Sequence, residues 1–483
     1  MNLFKFITDT YLPHVWGRVF SVISLFLASS ILANAVAATD CTQVTEIPQA
    51  ECETLVALYN STDGANWTDS PANNWNVTNT PCSWTAVYCS NGHVADIWTL
   101  YNKNLVGTLP NLSALVNLTG IDLRQNQLSG SIPDLSALVN LQYLILDGNQ
   151  LSGPIPDLSA LANLRQLYLY NNQLSGPIPN LSALVNLKYL NLNNNKLSGS
   201  IPDLSALVNL PNLSLADNQL SGSIPNLSAL VNLQGLDLSG NQLNGPIQNL
   251  STLVNLQDLD LSGNQLNGPI QNLSTLVNLQ DLNLSGNQLS GSIPDLSALV
   301  DLRALYLSGN QLSGSIPDLS ALVDLRVLYL NNNQLTGSIP DLSTLVDLGG
   351  LALSNNQLTG SFPDLSASVR LGMLFLDNNQ LTGSILSLSN LVSLYVLILS
   401  NNQLSGPIPD LTAFANLNSV GSVGLSNNHC LTTSDPKLIA FLDKKIPVGR
   451  QRKRLALLHF HLKDIYWVVL LAMASPPPPP ALA

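Results

Sequence analysis

One pattern of aliphatic and polar positions repeats along most of the chain. A representative copy runs from Leu141 to Leu161 as LQYLILDGNQLSGPIPDLSAL, and it returns every 23 residues. In Leu144-Ile145-Leu146, the alternation puts both leucines on one side of a short strand and Ile145 on the other. Because the same strand recurs in every copy, we expect the strands to stack into a parallel sheet.

The copies are predicted to form one elongated coil. A single copy cannot bury its leucines alone, and only the neighbouring copies can cover them. Thirteen regular copies are marked by Asn126 through Asn402. A degenerate earlier copy has Lys103 in place of the Asn, and a last copy ends at Asn428 after a three-residue insertion. The pattern therefore predicts an α/β solenoid of about 15 repeats.

Two further positions of the repeat are interpreted as structural. The repeated Asn, as in Asn126, Asn149, Asn172 and Asn195, follows the strand, and its buried amide is expected to hydrogen-bond the backbone of adjacent turns in a ladder. The residue after Ile-Pro, as in Asp157, is Asp, Asn or Ser, the types that cap a short helix or turn. Calcium would need several donors converging on one ion, so we expect no metal and no cofactor.

The positions that vary within the repeat are the candidates for ligand binding. They are the middle residue of Leu-x-Leu and the residues two before and two after it, which are expected on the exposed face of the sheet. They define an aromatic zone, an acidic zone and a second aromatic zone: Tyr143, Tyr168, Tyr170 and Tyr189; Asp237, Asp258, Asp260 and Asp281; Tyr306, Tyr329 and Phe375. Exposed aromatic side chains make good anchors for a partner, although they can also simply stack on one another.

Charge and composition argue against several other functions. The net charge is −12, which disfavours nucleic acid as a partner. The five histidines lie outside the regular repeats, so no nucleophile–base pair is evident. A carboxylate pair such as Asp258 and Asp260 would lie on an open sheet, where pKa values are difficult to tune. We therefore do not expect an enzyme.

The termini differ from the repeats. Lys5 and Arg18 precede an apolar run at 19–32 and small residues at 33–38, which predicts a signal peptide at 1–37, with an uncleaved anchor as the alternative. The expected order continues with an N-terminal cap at 38–93, repeats at 94–428 and a C-terminal cap at 429–447. A basic, apolar and Pro-rich tail follows at 448–483, either disordered or weakly associated with a membrane.

Four of the five cysteines follow the predicted cleavage point: Cys41, Cys52, Cys82 and Cys89. Export favours disulfides, and proximity along the chain favours Cys41–Cys52 and Cys82–Cys89, although spacing alone does not fix connectivity. Cys430 has no evident partner.

The phrase L-x-x-L-x-L-x-x-N-x-L-x-G-x-I-P, seen at 141–156, resembles the plant-type leucine-rich repeat, and the resemblance covers roughly 57–430. Trp67, Trp75, Cys82, Trp84 and Cys89 look like the N-terminal cap of that family, in which the two corresponding cysteines are bonded. The repeat is one residue shorter than the common 24-residue plant unit, and exported bacterial leucine-rich-repeat proteins are also similar.

The resemblance implies a curved, right-handed leucine-rich-repeat coil whose concave parallel sheet binds a protein, peptide or glycan. Plant receptors of this type add a membrane span and a kinase, but the sequence shows no kinase motifs. We therefore expect a secreted or cell-surface recognition module. The alternatives are a structural or adhesive spacer and the ectodomain of a membrane-tethered, receptor-like protein.

Overall fold

The computed structural model describes residues 38–445 except 69, 71, 72, 415, 418 and 420. The predicted signal peptide and the predicted tail lie outside these residues, as do the last two residues of the predicted C-terminal cap.

A long sheet, here called the main sheet, runs through the described residues. It contains sixteen strands, of which the first pairs antiparallel with the second and the other fifteen are parallel. In spatial order they are Val87–Ser90, His93–Ile97, Gly120–Asp122, Tyr143–Ile145, Gln166–Tyr168, Tyr189–Asn191, Asn212–Ser214, Gly235–Asp237, Asp258–Asp260, Asp281–Asn283, Ala304–Tyr306, Val327–Tyr329, Gly350–Ala352, Met373–Phe375, Val396–Ile398 and Val423–Gly424.

The leucines keep the main sheet in register. Leu144 pairs with Leu167 in the next strand and Leu167 pairs with Leu190, so each turn is displaced by one repeat of 23 residues. Leu144 is 2% exposed and Leu146 is 1% exposed, which places both in a core that continues through the whole coil. The predicted parallel solenoid of about 15 turns is confirmed.

The returning segments form a second sheet that the sequence pattern did not reveal. Its eleven strands in chain order are Val106–Thr108, Gln127–Gly130, Gln150–Gly153, Gln173–Gly176, Lys196–Ser200, Gln219–Gly222, Gln242–Pro246, Gln265–Pro269, Gln288–Gly291, Gln311–Ser315 and Gln334–Thr336. Three further strands, Thr382–Gly383, Gln403–Pro407 and Cys430–Thr432, form a small third sheet. The Leu of each Gln-Leu-Ser-Gly segment, such as Leu151, is fully buried, so these strands also face the core.

In the described part of the chain, the α-helices lie at the two ends: α1 at Gln49–Ser61 and α2 at Pro436–Lys445. Short 3₁₀ turns at Cys41–Gln43, Gly64–Asn66 and Pro81–Ser83 belong to the N-terminal end. Inside the repeats, the residue after Ile-Pro starts a turn. The Asp157 carboxylate accepts hydrogen bonds from the Ser159 backbone N–H at 2.9 Å and the Ser159 hydroxyl at 2.8 Å.

Aromatic rings and disulfides close the N-terminal end of the coil. The rings of Trp67 and Trp75 lie 5.1 Å apart, and those of Trp75 and Trp84 lie 5.2 Å apart. Disulfides join Cys41 to Cys52 and Cys82 to Cys89, the pairs expected from the sequence. The apolar edge of the first turn is thereby covered.

Helix α2 packs at the other end. Its Leu438 and Leu442 side chains are buried, and the Lys445 carbonyl accepts a hydrogen bond from the Gly421 N–H at 2.7 Å. Cys430 is exposed, and it has no disulfide partner among the described residues.

The repeated Asn residues join adjacent turns. The Asn149 amide donates to the carbonyls of Leu123, one turn back, at 3.1 Å and of Leu146 at 3.0 Å. Its carbonyl oxygen accepts the Leu128 N–H at 3.0 Å. Asn126, Asn172 and Asn195 make the equivalent contacts. Since these backbone groups are buried, the side chain supplies bonds that water cannot.

An outer set of Asn residues forms a second ladder that the sequence analysis missed. The Asn140 amide donates to the Val116 carbonyl of the preceding turn at 3.1 Å, and Asn163 reaches Val139 at 3.0 Å. Later turns carry Asp301, Asp324 and Asp347 at this position. An ionised carboxylate cannot donate such a bond.

Replacing one ladder residue, Asn241→Ala, is expected to lower stability. The substitution leaves the buried Leu215 and Leu238 carbonyls and the Leu220 N–H without their side-chain partner. Each unsatisfied buried group costs about 1–3 kcal/mol. The urea midpoint, followed by circular dichroism, should fall well below that of Gln242→Ala, which truncates the exposed neighbour. Equal midpoints for the two variants would contradict the ladder's role.

Candidate functional site

The outer face of the main sheet carries three rows of side chains that do not belong to the leucine core. The first row contains the first residue of each three-residue strand, such as Tyr143, and the second row contains the third residue, such as Ile145. The third row contains the residue two positions later, such as Asp147. In each row, neighbouring residues come from successive turns, about 4.8 Å apart.

Three tyrosines meet near the N-terminal end of this face. The ring of Tyr168 packs edge-on against that of Tyr170 at 6.2 Å and against that of Tyr189 at 6.4 Å. Burial raises the pKa of the Tyr168 hydroxyl, with a further contribution from Tyr189. Tyr189 remains 38% exposed. The predicted grouping of these three tyrosines therefore exists as a partly open cluster.

Tyr143 contacts a residue that the sequence analysis missed. Its ring lies 5.5 Å from that of Trp98, in an edge-on arrangement. Trp98 occupies the second-row position of the degenerate first copy, because Ile97 pairs with Ile121 in the next strand. Extending the alignment of Leu-x-Leu positions back into that copy would have identified it.

Two of the predicted acidic residues, Asp237 and Asp260, are neighbours in the second row. Asp237 accepts the Ser239 hydroxyl at 2.7 Å, and Asp260 accepts the Asn283 amide at 3.0 Å. Burial is the main cause of the raised pKa of Asp237, and the charge of Asp260 adds to it.

The other two, Asp258 and Asp281, face each other in the first row. Burial raises the pKa of both carboxyls, and the negative charge of Asp281 raises that of Asp258 further. Arg303 lies close enough to lower both pKa values in part, and Arg326 acts on Asp281. The two arginines come one residue before the first row, so a search restricted to the three rows did not include them.

The second aromatic zone is centred on Tyr306 and Tyr329. Their rings are 5.4 Å apart and nearly perpendicular, and the Tyr329 hydroxyl lies 3.9 Å from the Met373 sulfur. Burial, followed by the neighbouring Tyr306 and Tyr395, raises the pKa of Tyr329 to about 12. Tyr395 is 44% exposed and also lies outside the three rows considered from the sequence.

The prediction that the second row is exposed throughout is wrong at Phe375, which is only 9% exposed. Its strand neighbours in this row are Ala352 and Ile398, and Ala352 is also buried. Apolar side chains on successive turns cover one another, so they leave little surface for a partner. Ile145 is buried in the same way.

Family models and solved structures identify the repeat. The model described as "Leucine Rich repeats (2 copies)" matches 162–206 and 277–321. The model described as "Leucine Rich Repeat" matches 140–161, 232–253, 255–276, 324–344 and 393–414. The solved leucine-rich-repeat protein of Leptospira interrogans is 30% identical, with a TM-score of 0.55 over 71% of this chain and 92% of that one.

This chain is a leucine-rich-repeat protein. It is also similar to a plant peptide hormone receptor, RGFR1, solved in complex with RGF2, with 35% identity and a TM-score of 0.65 over 70% of this chain. A TDR receptor is 32% identical, with a TM-score of 0.62 over 70% of this chain. The chain spans 56% and 65% of the lengths of these two receptors. A sequence comparison with functionally characterised proteins gives no significant match.

Within residues 38–445, apart from the six gaps, no three metal-ligating side chains of this leucine-rich-repeat protein lie close enough together to hold an ion. No helix in that part combines the length and apolar character needed to cross a bilayer.

Asp258→Asn is expected to stabilise this leucine-rich-repeat protein at neutral pH. A carboxyl whose folded-state pKa is raised imposes no penalty below its ordinary pKa, and the penalty grows as the pH rises through the folded-state value. The urea midpoint of the variant should therefore exceed that of the wild type at pH 7, and the two should converge near pH 3.

Asp157→Asn is the control of opposite sign, because hydrogen bonds from Ser159 lower the pKa of Asp157. Its carboxylate stabilises the fold above the ordinary pKa, so this variant should be the less stable one at pH 7. A gain for Asp258→Asn that did not change with pH would contradict the assignment.

Proposed function

We propose that this leucine-rich-repeat protein is an extracellular recognition module that binds a protein, peptide or glycan on the outer face of its main sheet. The observation that carries the proposal is the contrast between constant and varied positions. The core positions are leucine in nearly every turn, whereas the three outer rows vary and group tyrosines and aspartates. Partly exposed tyrosines on a rigid sheet can bury much area at a low entropic cost.

Two further observations support this proposal. One similar structure is described as a peptide hormone receptor in complex with its peptide. The two disulfides suit an oxidising compartment, such as the outside of the cell. We propose no catalysis, because the acidic pair Asp258 and Asp281 lies on an open face. Phe375 is omitted from the proposed surface because it is buried.

A spacer or adhesive role is the second candidate. The near-identity of the repeats favours it, since a spacer needs length and no particular surface. A tethered receptor ectodomain would depend on residues 448–483, which lie outside the described structure.

The double variant Tyr168→Ala, Tyr189→Ala tests the proposed face. Immobilised wild-type protein would be exposed to the extracellular fluid of its source cells, and the retained partner identified and titrated. We expect the double variant to bind this partner at least tenfold more weakly, since central aromatic anchors contribute about 2 kcal/mol or more.

The matched control is Val185→Ala, Val208→Ala, which truncates two side chains that are 46% and 41% exposed and lie outside the three rows. This variant should keep the wild-type affinity. Loss of binding in the valine variant alone, or a wild type that retains no partner, would contradict the proposed function.

A further inference from the structure

Asp147, in the third row, is an exception among the buried polar side chains. It is fully buried, and neither carboxylate oxygen makes a hydrogen bond of standard geometry. Among the described residues, no other buried side-chain oxygen or nitrogen is in this state. A buried carboxylate without such partners destabilises a fold, so its presence requires an explanation.

The same repeat position ten turns later shows how the scaffold can satisfy this carboxylate. Asp377 accepts hydrogen bonds from the Ser354 hydroxyl and, at 2.5 Å, from the Asn378 amide. At the corresponding positions beside Asp147, Arg124 replaces the serine and Gly148 replaces the asparagine. The repeat therefore has an internal solution, and this turn does not use it.

Arg124 does not neutralise the site, because it is engaged by another carboxylate. Its guanidinium lies 3.3 Å from an oxygen of Asp122 and 5.4 Å from the centre of the Tyr101 ring. Asp122 is only 3% exposed. Two buried carboxylates thus share one guanidinium, which leaves an excess negative charge at Asp147.

Aromatic rings flank this charge on the other side. The Tyr170 hydroxyl lies close to Asp147; burial, followed by this carboxylate, raises the pKa of Tyr170 to about 12. Tyr168 packs against Tyr170 and also senses the charge of Asp147. Carboxylates beside aromatic faces form a favourable environment for an organic cation.

We propose that Asp122, Arg124, Asp147, Tyr168 and Tyr170 form a cation socket that receives a basic side chain of a peptide or protein partner. This inference rests on the proposed function and specifies the chemistry of one part of the face. Arg124 already shows that a guanidinium fits between a ring and a carboxylate here. The incoming cation pairs with Asp147, once the side chains of Arg124, 39% exposed, and Tyr170 rotate outward.

The test uses the full chain and three tripeptides, acetyl-Gly-X-Gly-amide, in which X is arginine, lysine or the neutral citrulline. Binding is followed by NMR signals of isotope-labelled tyrosine rings. We expect the arginine or lysine peptide to shift the Tyr168 and Tyr170 signals and the citrulline peptide to leave them unchanged. Asp147→Asn should weaken binding at least tenfold, because a buried charge pair is lost.

Asp377→Asn is the matched control, since it removes the same charge at the same repeat position where the scaffold already supplies donors. It should bind the peptides within twofold of the wild type. Thermal unfolding separates the two further: Asp147→Asn should be at least as stable as the wild type, and Asp377→Asn should be less stable. Equal binding by wild type and Asp147→Asn, or an equal response to citrulline, would overturn the socket.

Failure of the socket and failure of the proposed function can be distinguished. If Asp147→Asn keeps the wild-type affinity for the retained partner while Tyr168→Ala, Tyr189→Ala loses it, the face binds and the socket is wrong. If Asp147→Asn loses that partner while Asp377→Asn keeps it, both are supported.

Discussion

Every other feature of this protein depends on one packing constraint: each turn can bury its leucines only against the next turn. Leu144, Leu167 and Leu190 therefore lie in register across successive strands, and the repeat length must stay at 23 residues for them to do so. The Asn ladder supplies hydrogen bonds where the chain leaves the sheet and so reinforces the same spacing. The tryptophans and helix α2 cover the apolar ends that this packing leaves open.

The same constraint determines where function can be encoded. Core positions cannot change without opening a cavity, whereas the three outer rows are free to vary. Neighbouring turns lie close together, so a cluster such as Tyr168, Tyr170 and Tyr189 is assembled from residues about one repeat apart. Like charges are also brought together, as at Asp258 and Asp281, and the fold tolerates this cost. Sites that destabilise the scaffold, Asp147 above all, are therefore good places to look for binding.

The sequence predicted what depends on the repeat alone and failed where neighbours decide. The role of Asn149 follows from its place after the strand, and the structure shows the expected hydrogen bonds. The burial of Phe375 depends on Ala352 and Ile398 in other turns, which one copy does not reveal. The isolation of Asp147 requires knowing that Arg124 pairs with Asp122. The second sheet was missed because Gln-Leu-Ser-Gly is too short to give a strand pattern.

Hydroxyl-radical footprinting of the whole chain, with and without its retained extracellular partner, tests most directly whether the outer face of the main sheet is the binding surface. The account predicts that Tyr168, Tyr189, Tyr306 and Tyr329 lose reactivity in the complex, while Tyr88, which is 50% exposed and lies in the antiparallel first strand, reacts as before. Unchanged reactivity of the four tyrosines, with protection confined to Tyr88 or to the exposed valines, would contradict it.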